Sequence, residues 1–124
     1  MKTKILVLDD EESLRLLLCD NLEFEGFEAV SASTGRDAIE IAKKDKMALA
    51  VIDIGLPDMD GWEVCRRLRE DPSTKDLPVI VLSGSVGDEI HVLAKNHGVK
   101  HCVAKPYDCT ELVELLKRIV AAKG

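Results

Sequence analysis

The sequence predicts an α/β domain built on a five-stranded parallel sheet with helices on both faces. Short strand-like runs alternate with helix-length amphipathic segments from end to end of the 124 residues. Four of the runs are continuously apolar, as strands buried on both faces are: Ile5-Leu6-Val7-Leu8, Ala48-Leu49-Ala50-Val51-Ile52, Val79-Ile80-Val81-Leu82 and Cys102-Val103-Ala104. Each of the four ends on polar residues: Asp9-Asp10, Asp53, Ser83 and Lys105-Pro106.

After the first strand, a helix is expected from Ser13 to Glu25, with Leu14, Leu17, Leu18 and Leu22 on one stripe and Gly26 as its stop. Glu28 to Ala32 reads as a second, more polar strand. Thr34-Gly35-Arg36-Asp37 is a capping-box pattern opening a second helix with Ala38, Ile41 and Ala42 inward. The third strand runs into Asp53. Asp60-Gly61-Trp62-Glu63 then starts a third helix that buries Val64 and Leu68. Residues 71–78, rich in Asp, Pro, Ser and Thr, read as a loop before the fourth strand. A fourth helix from Asp88 to His97 ends at Gly98. The fifth strand is followed by the most periodic helix, with Leu112, Leu115, Leu116 and Ile119 behind an Asp108 cap.

This length suits one domain, here residues 1–124, able to bury a core without disulfide or metal staples. No internal repeat, linker or output domain is evident. A formal net charge of −6 argues against binding of nucleic acid or an acidic membrane by this domain alone, since both need a basic face. Partners are expected to be proteins or small ions. Cys19, Cys65, Cys102 and Cys109 show no C-x-x-C spacing and read as reduced, buried thiols. Lys2 and Lys4 flank only a short apolar run that ends in aspartates, unlike a signal peptide, and no stretch is long enough to span a bilayer. A cytoplasmic protein is expected.

In open α/β sheets, ligands bind beyond the carboxyl ends of the strands. Asp9, Asp10, Asp53, Ser83 and Lys105 then share one crevice. Clustered carboxylates are costly unless a cation neutralises them, and a divalent metal is the simplest answer. Asp53 ends a strand without other polar residues and precedes the irregular stretch from Gly55 to Gly61, so its carboxylate is expected to be exposed at the sheet's edge and free to attack phosphorus. Asp9 and Asp10 supply oxygen ligands of the kind Mg²⁺ prefers. Ser83 can donate a hydrogen bond to a phosphoryl oxygen, and Lys105 can neutralise its charge. Taken singly, an aspartate after a strand is more often a cap or turn former, and a lone Ser or Lys there says almost nothing. The conjunction of five positions on four strands favours metal-assisted phosphate chemistry.

Val7-Leu8-Asp9-Asp10-Glu11, the stretch from Asp53 to Gly61, Leu82-Ser83-Gly84 and Ala104-Lys105-Pro106 together resemble the receiver domain of two-component response regulators, in family order and over essentially the whole chain. The resemblance implies the flavodoxin-like, doubly wound (βα)5 sandwich of the single-domain chemotaxis regulators, with strand order 2-1-3-4-5. It implies that Asp53 is the phosphoacceptor, that Asp10, Asp53 and the Gly55 carbonyl bind Mg²⁺ directly, and that Asp9 does so through water. Ser83 resembles the switch hydroxyl, Lys105 the phosphoryl-contacting lysine, and Lys105-Pro106 the family's cis peptide. The implied partners are a sensor histidine kinase or phosphotransfer protein and a downstream target on the face of helix 4, strand 5 and helix 5. That face also serves homodimers in the family.

Two positions depart from the family pattern. Cys102 stands where an aromatic switch residue is common, and Gly55 leaves no side chain to hold or shield the water that hydrolyses an aspartyl phosphate. Other constellations are weaker. His91, His97 and His101 lack zinc-site spacing and suit surface or helix-end roles. Arg66, Arg67 and Arg69, interleaved with Glu63 and Glu70, read as a solvated helix face, and Trp62 as packing on the loop before it. Among competing functions, a Mg²⁺-dependent aspartyl phosphohydrolase needs a second carboxylate where Gly55 stands. A flavin module needs a phosphate-cradling loop where Asp9-Asp10-Glu11-Glu12 repels phosphate. A scaffold that works without phosphorylation leaves the five-residue site unexplained.

Overall fold

The computed structural model describes residues 2–56, 58–84 and 88–123. Its elements follow in the order β1 (Lys4–Leu8), α1 (Glu12–Phe24), β2 (Glu28–Ala32), α2 (Gly35–Lys44), β3 (Leu49–Asp53), α3 (Gly61–Glu70), β4 (Val79–Ser83), α4 (Asp88–Asn96), β5 (His101–Ala104) and α5 (Cys109–Lys123). The strands form one parallel sheet in the order β2-β1-β3-β4-β5. Strands β3 and β4 are buried at every residue, Asp53 and Ser83 included.

Successive strand residues point to opposite faces, so each apolar run feeds two cores at once. Leu6, Leu8, Ile52 and Val81 pack under α2, α3 and α4 with Ala38, Val64 and Leu68. Ile5, Val7, Leu49, Val51 and Ile80 pack on the other face against Leu18 and Leu22 of α1 and Leu112, Val113 and Leu116 of α5. Each such large aliphatic side chain contributes roughly 1.5–3 kcal/mol by leaving water. The sheet is therefore rigid where its carboxyl ends present the polar residues.

The helices keep their expected places with local corrections. In α1 the buried stripe follows i, i+4 spacing through half-buried Leu14 to Leu18 and Leu22; Leu17, one residue round the helix from Leu18, is 51% exposed and does not belong to it. In α2 Ile39 is buried beside Ala38 and Ala42, while Ile41 is only half-buried. In α5 Val113 joins Leu112 and Leu116 inside, and Leu115 and Ile119 lie at the margin of that core. Of the thiols, all free, only Cys65 is fully buried.

The caps explain the boundaries. Thr34 Oγ1 accepts from Asp37 N at 3.2 Å, Asp60 Oδ1 from Trp62 N at 2.8 Å, and Asp108 Oδ1 from Thr110 N at 2.8 Å. Helices α1 and α4 are followed by Gly26 and Gly98 at φ of 94° and 70°, the left-handed conformation that glycine adopts without strain. The loop over 71–78 is fastened from inside, with Thr74 Oγ1 donating to Leu68 O at 2.6 Å. Among the described residues, no helix is long and apolar enough to cross a membrane.

Candidate functional site

The strand order brings the polar strand ends together. Leu8 of β1 is in register with Ile52 of β3, so Asp9 and Asp53 follow side by side. Asp53 pairs in register with Leu82 of β4, and Ser83 with Ala104 of β5, which sets Lys105 one step beyond the sheet. From there the lysine reaches back across the end of β4. Its Nζ lies 2.8 Å from Asp53 Oδ2 and 3.6 Å from Asp9 Oδ2, while its backbone N–H donates to Ser83 O at 2.8 Å. The Lys105–Pro106 peptide is cis.

Asp9, Asp53 and Ser83 are buried, with exposures of 1%, 5% and 6%, whereas Asp10 faces solvent; Asp53 is thus covered, with Lys105 against it, rather than exposed at the sheet's edge as expected. Asp9 is fixed by three bonds: its Oδ1 accepts from Glu11 N at 2.9 Å, its carbonyl from the Arg15 guanidinium at 2.8 Å, and its N–H donates to Ala32 O at 3.3 Å. Asp53 Oδ1 accepts from Gly55 N at 3.2 Å. The loop after Asp53 is closed at its base by Gly61 N donating to Ile54 O at 2.9 Å. That closure requires glycine, because a Cβ at residue 61 would lie 2.6 Å from Ile54 Cα. A Cβ at Gly55 would instead meet nothing within 4 Å.

Burial raises the Asp9 pKa; the Glu11 N–H and the Lys105 charge oppose the rise, and the charge of Asp53 adds to it. Burial by itself lowers the pKa of Lys105, yet the hydrogen bond it donates to Asp53 and the charges of Asp9, Asp53 and Glu11 outweigh it and leave the ammonium raised. One lysine thus faces three carboxylates. Oxygens of Asp9, Asp10 and Asp53 lie within 4.8 Å of one another, the one such convergence of acid, His or Cys side chains among the described residues. An all-oxygen donor set with uncompensated negative charge fits a hard divalent cation such as Mg²⁺.

The structure thus gathers Asp9, Asp10, Asp53, Ser83 and Lys105 at one end of the sheet, with Gly55 at the rim. Cys102 is half-buried in edge strand β5, in register with Val81. The histidines do not converge. His97 closes α4, with Nδ1 2.8 Å from Leu93 O, and its ring lies 5.3 Å from that of Trp62, so Trp62 packs against α4 as well as its own surroundings. His101 begins β5, and the His91 side chain lies outside the described residues. Arg66 and Arg67 pair with Glu63, and Arg66 also with Glu70, as a solvated face should; these contacts hold the Glu63 pKa down to about 2, through Arg66 first and then Arg67. Arg69 instead turns inward and donates to Leu77 O at 2.7 Å and Gly98 O at 3.3 Å. Sequence reasoning also missed Arg15, which holds Asp9, and Asp58, whose carboxylate accepts from Gly35 N at 2.8 Å and Arg36 N at 3.1 Å. Neither carries a sequence signal, since all three bonds join segments whose meeting is set by the fold.

A parallel sheet of this order with an acidic crevice and a lysine at its carboxyl end is the architecture of a phospho-signalling domain. The family model of the response regulator receiver domain matches residues 5–117, and the chain belongs to that family, the receiver domains of two-component response regulators. A relative is the alkaline phosphatase synthesis transcriptional regulatory protein PhoP of Bacillus subtilis, 37% identical over 120 residues, which are 97% of this chain and 49% of that protein. The chain spans about half the length of the curated relatives it matches. The chemotaxis protein CheY4 of Vibrio cholerae superposes with a TM-score of 0.91 at 27% identity, over 96% of this chain and 99% of that one. The receiver domain of the sensor histidine kinase PA1611 of Pseudomonas aeruginosa, crystallised with a magnesium ion coordinated in its active-site cleft, shares the fold with a TM-score of 0.88 at 21% identity, over 98% and 99% of the two chains.

Proposed function

We propose that residues 1–124 act as one cytoplasmic receiver domain in which Asp53 accepts a phosphoryl group from the phosphohistidine of a sensor histidine kinase or phosphotransfer protein. A carboxylate oxygen of Asp53 forms the new O–P bond as the P–N bond breaks, and the donor imidazole leaves with the electron pair and takes up a proton. The observation that carries this reading is the Lys105 ammonium 2.8 Å from the Asp53 carboxylate, inside a cluster of three acids.

Asp10, Asp53 and the Gly55 carbonyl are the residues that would hold Mg²⁺ directly, with Asp9 acting through water. When bound, the ion supplies positive charge that screens the attacking carboxylate from the phosphoryl oxygens. Lys105 carries a charge suited to the phosphorylated state, and Ser83 ends the neighbouring strand with a hydroxyl able to follow a phosphoryl oxygen. No further acid or base is needed, because positioning and charge lower most of the barrier to phosphoryl transfer. The domain assists its own modification and is not a turnover enzyme. The added charge then alters protein binding at the face of α4, β5 and α5, to a downstream target or a second copy.

Two experiments test the assignment. After incubation with acetyl phosphate and Mg²⁺, borohydride reduction and peptide mapping should place the modified side chain at residue 53. A modified residue elsewhere overturns the reading. A Mg²⁺ titration followed by Trp62 fluorescence or NMR should respond in the wild type and fail in Asp10→Ala; an unchanged response in that variant counts against the metal site.

A further inference from the structure

The loop over residues 54–60 connects the strand that ends in Asp53 to α3 and carries Gly55. Its base is fastened by the backbone: Ile54 N donates to Leu82 O at 3.1 Å and Gly61 N to Ile54 O at 2.9 Å. Asp58 and Met59 of this loop lie against the start of α2. There Asp58 Oδ1 accepts from Gly35 N at 2.8 Å and Asp58 Oδ2 from Arg36 N at 3.1 Å, one carboxylate spanning two successive N–H groups. Thr34 takes the next N–H, that of Asp37, at 3.2 Å, so the two side chains divide the open donors of one helix terminus between them. Among the described residues of this loop, Asp58 is the one whose side chain hydrogen-bonds to α2, while Asp60 caps α3 through Trp62 N. The approach is close: a Cβ at Gly35 would lie 2.6 Å from Met59 Cγ and 2.8 Å from Val64 Cγ2, and the glycine lets the loop lie against the helix.

We propose that Asp58 is a positioning residue, a strut that ties the Gly55-bearing loop to α2 and so holds the Gly55 carbonyl and the Asp53 carboxylate in register for a divalent cation. The inference rests on the reading of Gly55 and Asp53 as metal-binding positions. A carbonyl on an untethered loop must be ordered at the moment of binding, and that ordering subtracts from affinity; a strut meets the cost on folding. Asp58 touches neither the ion nor the phosphoryl group and acts only through the loop.

The test is a titration with Mg²⁺ alone, read by the Gly55 amide resonance and by Trp62 fluorescence, in wild type, Asp58→Ala, Asp58→Asn and Thr34→Ala. Asp58→Ala should weaken Mg²⁺ binding by about tenfold, the lower end of what outer-shell supports of metal sites are worth. Asp58→Asn keeps one acceptor oxygen and should fall between. Thr34→Ala removes the other cap of the same helix terminus without touching the loop, so it should leave Mg²⁺ affinity at the wild-type value. Exchange of the Gly55 N–H, bonded to Asp53 Oδ1, should accelerate in metal-free Asp58→Ala and not in Thr34→Ala. Wild-type affinity in Asp58→Ala, or an equal loss in Thr34→Ala, overturns the strut while leaving the metal site standing. A wild type that ignores Mg²⁺ overturns the site and the strut together.

Discussion

Replacing Lys105 with alanine removes the one ammonium among the described residues that pairs with the acidic crevice. At an effective dielectric of about 20, unit charges separated by the 2.8 Å and 3.6 Å of its contacts with Asp53 and Asp9 attract by about 6 and about 5 kcal/mol before desolvation. Desolvation takes back most of this, and the lysine side chain is 19% exposed, so the net cost of breaking the pair is about 3 kcal/mol, the lower end for buried ion pairs. With a urea slope of about 1.5 kcal/mol/M, the unfolding midpoint in chelator should fall by about 2 M. Magnesium should then do what the ammonium did. Lys105→Ala leaves Asp53 Oδ2 free and the cluster more negative, so the variant should bind Mg²⁺ more tightly than the wild type, and saturating Mg²⁺ should narrow the stability gap. Phosphorylation by acetyl phosphate should nonetheless drop strongly, because the charge of the phosphorylated state is under-compensated. Urea unfolding with and without Mg²⁺ reads the first two effects. An unshifted midpoint in chelator, or weaker Mg²⁺ binding by the variant, refutes the electrostatic reasoning.

A side chain at residue 55 meets open space beside the crevice, so Gly55→Asn should change the dephosphorylation rate by more than Gly84→Ala does; equal effects would show that residue 55 is not the gate. Cys102 lacks the bulk to swing between buried and exposed rotamers, so the signal should pass from Ser83 into α4. Cys102→Ser should keep phosphorylation intact and Ser83→Ala should uncouple it from α4; under beryllofluoride, large NMR shifts at Cys102 with little change from Gly84 to Leu93 would sink that route. Among the described residues the buried Tyr107 hydroxyl has no hydrogen-bond partner, so Tyr107→Phe should raise stability by about 1 kcal/mol, and a loss in thermal unfolding would reveal a partner. Burial also pushes the Tyr107 pKa up to about 12 from an ordinary 10.0. Between those values the unfolded chain binds fewer protons than the folded one, so this contribution to stability is complete below pH 10 and is lost as the pH rises to 12; Tyr107→Phe should flatten that part of the alkaline decline.

The strands and their polar ends were legible because burial on both faces demands an unbroken apolar run, and Asp53 and Ser83 stand out against one. Helix starts were legible for the same local reason, since Thr34, Asp60 and Asp108 cap within their own segments. Periodicity was less decisive where a helix covers only part of the sheet: Leu17 fits an amphipathic stripe on paper, but α1 buries the narrower row through Leu18 and Leu22. The long-range fasteners left no trace. Arg69 belonged to a basic cluster, yet one member of the three turns to Leu77 and Gly98 while the others pair along the helix. Asp58 gave no sign of its contact, because its partners Gly35 and Arg36 lie more than twenty residues away, across a crossover that only the completed sheet defines.

The most direct test of the central claim is intact mass after incubation with acetyl phosphate and Mg²⁺, on the wild type and on Asp53→Asn. The wild type should gain one phosphoryl group and lose that gain when Mg²⁺ is chelated, and Asp53→Asn, whose carboxamide cannot form an acyl phosphate, should gain none. Full labelling of Asp53→Asn, or labelling of the wild type that is indifferent to Mg²⁺, would contradict the claim.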